Sequence, residues 1–438
     1  MEWQIGLVVI IGGILLLFFT GMQIFQAFLI AVIPLAMIYW GGVSGLLQLA
    51  QSFYSSIAQW TLLPVPFFIL MGSVMLETGM AWRMFSALDV WIGKLPGRLG
   101  LLCVAGGTLL GAMCGSSIAA VAMMGSAIAP SMREKGYKED MVIGPIIGAG
   151  GLSMIIPPSL MAVLVAAIAG FSVGKMLIGI IGAGLTYAAL MFAYIYVRCK
   201  IQPQLAPIDN PPVMPTKQKL KLLLVYVAPL ALIIFAATGV IFLGIATPTE
   251  ASATGALSCF ILAACYKKLN WTTFKAIMIS SMKGTILIFM ILLSAKVFTS
   301  VLAFSGITRG VSIYVSELAI PAWGVLTVML IALGILGCFI EIASLLFLTI
   351  PIFYPIAMIL GFDPVWFGVL YLLACQLGLL SPPFGMSLFV IKGVSPPEVS
   401  MGRIYKASIP FTIITLIEIV IVAAFPQIVL WLPGIMFK

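Results

Sequence analysis

Two short stretches of this sequence combine residue types suited to binding ions within an otherwise apolar chain. Residues 148–163 read GAGGLSMIIPPSLMAV, and residues 375–390 read CQLGLLSPPFGMSLFV. Each contains glycine, serine and a proline pair, Pro157-Pro158 in the first and Pro382-Pro383 in the second. Proline has no backbone N–H and disfavours the helical conformation of the residue before it, so a helix must break at both places. The carbonyl oxygens freed there are ligands that small hard cations prefer.

The composition places both stretches inside a membrane. Of the 438 residues, 63% are hydrophobic and only 8% are charged, whereas about a quarter of the residues of a soluble domain are charged. Backbone groups freed at membrane depth are tolerated only where they line a cavity or bind something. Two broken helices in corresponding places of two halves therefore predict a transport site.

The charged and metal-binding residue types exclude several other functions. Lysine and arginine outnumber aspartate and glutamate by 22 to 13, and we assign the excess to cytoplasmic loops. No basic cluster lies on a soluble domain, so nucleic-acid binding is not predicted. The chain has no histidine, and its cysteines lack paired ligand spacing, so we expect neither a transition-metal site nor a disulfide framework.

The apolar runs predict an all-α polytopic membrane fold with about 11 transmembrane helices and two re-entrant helical hairpins. Two similar halves, each with scaffold helices, a hairpin and a broken helix, flank a proline-rich cytoplasmic linker at 199–221. The predicted bounds are 1–198 for the first half (scaffold 1–80, hairpin and broken helix 99–173) and 222–438 for the second (scaffold 222–304, hairpin and broken helix 321–394, last helix 404–432). Amphipathic residues 44–60 predict an interfacial helix, and residues 267–281 form an amphipathic segment before a span over 283–304.

The halves align at an offset of about 225 residues, which superimposes the two proline pairs and places Ser116-Ser117 on Glu341-Ile342. Basic residues, Arg98 and Arg133, flank the first hairpin, whereas acidic residues, Glu317 and Asp363, flank the second. Because cytoplasmic loops are enriched in lysine and arginine, the first hairpin is expected to enter from the cytoplasm and the second from the periplasm. The repeats are then inverted, and both termini are periplasmic.

Hairpin tips and helix breaks are expected to meet near the membrane centre. The tips bring the hydroxyls of Ser116, Ser117 and Ser344, and the breaks bring the carbonyls of 153–158 and 379–383. Half-helix carboxyl ends add partial negative charge for a cation, and amino ends favour an anion. We predict one sodium site in each repeat around a shared anion site. The alternative is that these small residues only allow helices to pack closely.

A few charged residues lie within apolar runs, where such residues are often functional. Glu341 either coordinates a cation or braces the second hairpin tip, and Glu250 is expected to cap the helix that follows it. Lys296 either meets a substrate carboxylate or pairs with a glutamate. Glu77 and Glu418 are interpreted as structural partners.

Six motifs together resemble the large membrane (M) subunit of tripartite ATP-independent periplasmic, or TRAP, transporters, and the resemblance covers essentially the whole chain. They are PVPFFILMG at 64–72, GSSIAAVAMMGS at 115–126, IIPPS at 155–159, GIATPTEA at 244–251, IEIAS at 340–344 and LLSPPFG at 379–385. The resemblance implies a bacterial inner-membrane protein that imports an organic acid, such as a C4-dicarboxylate or sialic acid, with sodium. It also implies an elevator mechanism, a small four-helix membrane (Q) subunit and a periplasmic substrate-binding protein (P subunit).

The resemblance also locates the expected ligands, with Na⁺ in two or more sites and no organic cofactor. The sodium-binding positions are Gly115, Ser116, Ser117, Ser153, Ile156, Pro157, Gly337, Glu341, Ser344, Gly378, Ser381 and Pro382. The substrate-binding positions are Pro158, Ser159, Lys296, Pro383 and Gly385. Glu341 and Ile342 stand where the first tip has two serines, so the second site differs in composition.

Three other functions compete with a tripartite importer. A stand-alone sodium/carboxylate symporter could share the inverted-repeat design and would need no binding protein. An ion channel could use the broken helices as a selectivity filter. An enzyme has the least support, because the sequence shows no nucleophile motif and no aspartate-rich metal motif.

Overall fold

The computed structural model describes residues 3–22, 24–39, 42, 47, 49–54, 58–207, 214–317 and 320–436, and the regular secondary structure of these residues is helical throughout. The helices of the first half are α1 (Trp3–Phe19), α2 (Ile24–Tyr39), α3 (Pro64–Glu77), α4 (Met80–Ile92), α5 (Arg98–Cys114), α6 (Ser117–Ala127), α7 (Ala129–Glu134), α8 (Glu139–Ile155), α9 (Leu160–Ala169) and α10 (Val173–Ile201).

The second half begins with α11 (Thr216–Phe242), a single apolar helix that contains two π-helical segments. The helices that follow are α12 (Pro248–Cys265), α13 (Trp271–Phe304), α14 (Ile307–Glu317), α15 (Ala322–Phe339), α16 (Ile342–Ile359), α17 (Pro364–Leu380), α18 (Met386–Gly393), α19 (Met401–Ala424) and α20 (Gln427–Met436). We call α5–α6 and α15–α16 the first and second hairpins, and α8–α9 and α17–α18 the first and second broken helices.

Many of these helices are apolar enough to lie in a bilayer. Within the described residues, seven helices of at least 18 residues pass a length and hydropathy criterion for spanning a membrane, and α8 and α9 form a further pair bent by 43°. The multi-pass membrane fold predicted from the sequence is therefore confirmed. The count of about 11 spans and the re-entrant entry of the hairpins remain predictions.

The structure corrects two predicted boundaries and adds two helices. The segment 267–304 is not an amphipathic segment followed by a separate span, because α13 runs unbroken for 34 residues and contains no proline. The last predicted helix, 404–432, is instead two helices, since Pro426 removes a helical N–H after α19.

Amphipathic helices α4 and α14, which the sequence analysis missed, precede the two hairpins. Part of 44–60 lies outside the described residues, and 49–54 is helical.

The element boundaries repeat with the offset seen in the sequence. Helices α8 and α17 begin at Glu139 and Pro364 and end at Ile155 and Leu380, which gives a separation of 225 positions at both ends. The packing repeats as well. The second arm of the first hairpin, α6, packs on α18, and the second arm of the second hairpin, α16, packs on α9. Each hairpin thus contacts the broken helix of its own half and that of the other half.

Two equivalent positions touch each other directly. Gly151 and Gln376 are 225 positions apart, and a Cβ added to Gly151 would lie 1.9 Å from Gln376 Nε2. Equivalent residues meet in this way only near a two-fold axis. The pseudo-two-fold axis therefore passes between α8 and α17, a few residues before both proline pairs.

Ionic contacts hold the first hairpin to this core. Arg133, which follows the hairpin, donates to both carboxylate oxygens of Glu139 at 2.7 and 3.0 Å and to the Ser395 hydroxyl at 3.4 Å. A bidentate pair of this kind fixes geometry as well as charge. It joins the base of the first hairpin to the start of α8 and to the segment after α18.

Glycine packing next to the second break provides a test of the fold. A Cβ on Gly378 would lie 2.6 Å from the Gly337 backbone. We expect Gly378→Ala to lower the free energy of unfolding by about 1–3 kcal/mol, because two backbones in contact cannot move apart without disturbing both helices. Thermal unfolding in detergent measures the change. Gly402→Ala is the matched control, because nothing lies within 4 Å of its added Cβ. Equal stability of the two variants would contradict the packing.

Candidate functional site

The first break is a short extended link between two buried helices. Helix α8 ends at Ile155, and Ile156 is extended, with φ −113° and ψ 123°. A cis peptide joins Pro157 and Pro158, and Ser159 caps the start of α9. All of these residues are buried. The predicted interruption of the helix is therefore present at the predicted residues.

Serine hydroxyls replace some of the hydrogen bonds that the prolines remove. The carbonyls of Ser153 and Met154 would normally accept from the N–H groups of residues 157 and 158, which proline lacks. Ser159 Oγ donates to the Met154 carbonyl at 2.7 Å and accepts from Ala162 N at 3.3 Å. Ser153 Oγ donates to the Gly150 carbonyl at 2.8 Å. The Ser153 carbonyl receives no such replacement from the described residues, and it remains a free acceptor in a buried position.

The second break has the same backbone course and a different environment. Ser381 is extended after α17, and a cis peptide joins Pro382 and Pro383. Residues 382–384 are exposed, whereas the corresponding residues of the first break are buried. Helix α19 supplies two donors, with Tyr405 Oη bonded to the Pro383 carbonyl at 2.7 Å and Thr412 Oγ1 to the Leu380 carbonyl at 3.2 Å. The exposure makes the second break the more accessible of the two.

Gly385 closes a small cradle of oxygen atoms at the second break. A Cβ at this position would lie 2.5 Å from the Leu379 carbonyl oxygen and 2.8 Å from the Ser381 carbonyl oxygen. The backbone of Gly385 has φ −49°, which any residue can adopt, so the glycine is needed for space and not for conformation. Both carbonyl oxygens thus lie against Gly385 Cα, and carbonyl oxygens are ligands suited to a hard cation.

The first hairpin tip lies against the start of α9. Gly115 adopts a left-handed conformation, with φ 60°, and ends α5. Ser116 caps α6, and its hydroxyl accepts from Ala119 N at 3.4 Å. A Cβ on Gly115 would lie 3.2 Å from Leu160 Cβ, and Ser117 is buried. The tip and the first break therefore meet, as predicted.

The second tip lies against the second break and is braced by its own glutamate. Glu341 Oε2 accepts from Ser344 N at 3.3 Å and from Ser344 Oγ at 3.2 Å, which caps α16. Cys338 Sγ donates to the Gly334 carbonyl at 3.3 Å and lies 3.9 Å from the Pro382 carbonyl oxygen. Of the two roles considered for Glu341, the structure shows bracing. The contact of Cys338 with the break was missed, because cysteine in an apolar run was interpreted as packing.

The structure does not bring Lys296 to either break. Lys296 lies on α13 and lines a small cavity with Ala167 and Ile168, at the far end of α9, and with Phe347 of α16. No residue of either proline break lines that cavity. Glu250 behaves as expected from the sequence, since its carboxylate accepts from Thr247 N at 2.8 Å in a capping box at the start of α12.

Two further residues contact the breaks and were missed by sequence reasoning. A Cβ on Gly184 of α10 would lie 2.4 Å from the Ile155 carbonyl oxygen. The backbone of α10 therefore packs directly against the backbone at the end of α8, with no side chain between them. Gln376 is fully buried beside Gly151, and its amide nitrogen and oxygen find no hydrogen-bond partner of good geometry among the described residues. A glutamine inside the apolar run 365–380 was the available sequence signal for this position.

Comparison with known proteins agrees with this architecture. Residues 11–428 match the family described as the tripartite ATP-independent periplasmic transporter, DctM component. The chain belongs to this TRAP transporter family. A large permease protein of a C4-dicarboxylate TRAP transporter from Pseudomonas aeruginosa is 32% identical over 390 residues, which cover 88% of this chain and 89% of that protein. The large permease protein of a sialic acid TRAP transporter from Vibrio cholerae is 28% identical and covers 97% of both chains.

A solved structure supports the fold independently of sequence. The YdaH transporter of Alcanivorax borkumensis superimposes with a TM-score of 0.69 at 14% identity, over 92% of this chain and 97% of that one. The resemblance deduced from the sequence motifs is thus confirmed. This TRAP large component is a multi-pass membrane protein, and the tripartite family to which it belongs combines such a component with others.

The cradle at Gly385 predicts a selective loss of cation binding. In Gly385→Ala, the added methyl group would lie within 3 Å of two carbonyl oxygens, so these oxygens must move, although the φ of the residue remains allowed. We expect the sodium concentration for half-maximal uptake to rise by about tenfold, equivalent to about 1.4 kcal/mol of binding free energy. Sodium titration of substrate uptake measures this. The control is Gly393→Ala, a glycine at the end of the same helix with no atom within 4 Å of its added Cβ. An unchanged titration in Gly385→Ala would remove the cradle from the cation site.

Proposed function

We propose that this chain is the large membrane subunit of a sodium-coupled importer of an organic acid. The observation that supports this proposal best is that each hairpin tip contacts a proline-broken helix. Gly115 lies against Leu160 in the first half, and Gly337 lies against Gly378 in the second. A single break could be a packing feature, but two equivalent breaks on either side of an axis are the arrangement of secondary transporters. The oxygen atoms at both breaks are suitable ligands for a cation.

The proposed sodium sites use the chain's own oxygen atoms, and sodium is a co-substrate. In the first site, the hydroxyls of Ser116 and Ser117 lie at the tip and the free carbonyl of Ser153 lies at the break. In the second, the carbonyls of Leu379 and Ser381 form the cradle at Gly385. Glu341 is occupied in capping α16, so it contributes negative charge near the second site without needing to be a direct ligand.

The proposed cargo is a carboxylate. The amino ends of α6 and α9 lie together at the first tip and break, and helix amino ends attract anions. The relatives named above move C4-dicarboxylates and sialic acid, according to their names, and both classes carry a carboxylate. We place the substrate near Pro158, Ser159, Pro383 and Gly385. Lys296 lies away from both breaks, so it would meet the substrate only at another stage of the cycle.

The proposed motion is an elevator. The hairpins and broken helices would move as one body against the scaffold helices, which include α3 and α13. Support comes from the unequal exposure of the two breaks, because a site that opens to one side at a time needs one break covered while the other is open. The cavity beside Lys296 lies between α13 and helices α9 and α16, at the boundary where the two bodies would slide.

The proposed partners follow from the tripartite family. A soluble periplasmic protein would deliver the substrate, and a small four-helix membrane subunit would complete the scaffold. Both termini would then be periplasmic and the linker 199–221 cytoplasmic. Reconstitution of all three proteins in proteoliposomes tests the scheme: uptake should require a sodium gradient and the binding protein. Uptake without the binding protein would favour a stand-alone symporter, and sodium-independent uptake would refute the coupling.

The first sodium site predicts a specific effect of removing hydroxyls. Ser117→Ala and Ser116→Ala should each raise the sodium requirement for uptake by about tenfold, because a ligand worth about 1.4 kcal/mol is lost. Ser116 also caps α6, and losing a cap costs about 1 kcal/mol of stability. Ser172→Ala separates the two effects, since Ser172 caps α10 through a 3.3 Å bond to Lys175 N and lies at no proposed site. If neither tip variant changes the sodium titration, the first site is wrong.

The proline pair predicts a larger effect. Replacing Pro157 and Pro158 by alanine restores two backbone donors and allows α8 and α9 to join, which would satisfy the carbonyls that the ion needs. Uptake should fall below detection while the protein still assembles, as judged by gel filtration and thermal unfolding. Pro34→Ala, at an exposed proline inside α2, is the control for simple proline removal. Retained uptake in the double variant would contradict the proposed role of the break.

A further inference from the structure

A second group of buried polar side chains lies apart from the proposed sodium and substrate sites. It occupies the space between α10, α17 and α19. Its members are Thr186, Tyr187, Gln376, Thr415 and Glu418. All except Thr186 are fully buried. Glu418 stands out, because a carboxyl group inside a membrane protein is costly unless it is neutral or paired.

No cation of the described residues neutralises Glu418. It forms none of the ion pairs found among those residues. The basic residues on α19 and on the helices that pack against it lie toward helix ends. Lys406 is 12 positions from Glu418 along α19, and Arg198 is 12 positions from Thr186 along α10, so each is about 18 Å away along its helix. The remaining basic residues on these helices and their caps are Lys138, Lys175, Lys200, Lys392 and Arg403, and the acidic ones are Glu139, Asp140 and Asp363. The Tyr187 phenol interacts with Glu418 but cannot neutralise a carboxylate.

One hydrogen bond reaches the carboxyl group of Glu418. Thr186 Oγ1 donates to Glu418 Oε1, and it also lies 3.1 Å from the Gly182 carbonyl and 3.0 Å from the Ala183 carbonyl. The hydroxyl has a single hydrogen, so it offers the carboxyl group at most one hydrogen bond. One neutral donor does not offset the cost of burying a carboxylate charge, whereas a protonated carboxyl group carries no charge.

The second oxygen of Glu418 and the neighbouring amide are left without partners. Glu418 Oε2 and both polar atoms of Gln376 have no hydrogen-bond partner among the described residues. Tyr187 Oη bonds to Thr415 Oγ1 at 3.1 Å and faces both the Gln376 amide and the Glu418 carboxyl without a well-aligned bond to the amide. An ionised carboxylate would place a full charge among polar groups that already lack hydrogen-bond partners, whereas a neutral carboxylic acid would not.

We infer that Glu418, which Thr186 holds by a hydrogen bond, forms a proton-binding site between α10 and α19. Tyr187 and Gln376 connect this site to the axis, because Gln376 touches Gly151. Loss of the proton would place an unpaired charge between α10 and α19, next to the helix that carries the second break. The packing of the two broken helices would therefore respond to pH through a residue that binds neither sodium nor substrate.

Infrared spectroscopy of the full chain in nanodiscs tests the inference directly. We expect a stretching band of a protonated carboxyl group at neutral pH that is lost in Glu418→Gln. Glu398→Gln is the control, because Glu398 is exposed and should be ionised, so this variant should keep the band. Retention of the band in Glu418→Gln would overturn the inference. So would a band that appears in the native chain only when sodium is removed, since that would make Glu418 a metal ligand.

Two measurements guard against a variant that folds poorly. Dicyclohexylcarbodiimide reacts with protonated carboxyl groups in apolar surroundings by addition across a C=N bond, so the native chain should gain one reagent mass at Glu418 in peptide mass spectra. An unlabelled Glu418 under conditions that label the whole protein would contradict the site. The thermal midpoint of the native chain should also fall as the pH rises from acidic to alkaline values, because the unfolded chain releases this proton at a lower pH than the folded chain does, and Glu418→Gln should lack this contribution. Identical pH dependence in both proteins would count against a proton at Glu418.

Discussion

A peptide group in hydrocarbon must find a hydrogen-bond partner, and most of this structure follows from where that requirement is broken. The two proline pairs remove four N–H groups from helices that are otherwise complete. Ser159 restores one of the lost bonds at the first break, and Tyr405 and Thr412 donate to other carbonyls at the second. The carbonyls left over at Ser153 and Leu379 are the groups that a cation would satisfy. The candidate site and the breaks in the fold therefore have the same cause, which is the missing N–H groups of the proline pairs.

Glycine allows these unpaired groups to be approached from several sides. Gly184 lets α10 lie against the Ile155 carbonyl, Gly337 and Gly378 bring the second tip to the second break, and Gly385 leaves its cradle open. At Gly385 the backbone would accept any residue, so only the missing side chain matters. Interfaces of small residues are the usual means of close packing in membranes. In this chain, the absence of glycine side chains also keeps backbone oxygen atoms accessible.

Much of the architecture was predictable, because proline, glycine and charge act locally. The breaks at Pro157-Pro158 and Pro382-Pro383, both hairpin tips and the cap at Glu250 lie where the sequence places them. The long helix α13 was divided wrongly, since the amphipathic pattern of 267–281 suggested a separate segment, whereas long basic side chains are compatible with one continuous helix. Gly184, Gln376 and Cys338 were missed because their roles depend on contacts between distant segments. No local pattern distinguishes such residues from ordinary packing, and the same holds for the residues that surround Lys296.

The contact between Gly151 and Gln376 has a consequence for how this architecture can be encoded. In a dimer of two identical halves, a residue on the axis would face its own copy. Two glutamines would then compete for one volume, and two glycines would leave it unfilled. Covalent fusion of the halves removes this restriction, because one position can supply the side chain and the other the space. A single chain can thus hold an amide at its centre of symmetry, which a pair of equal subunits could not accommodate.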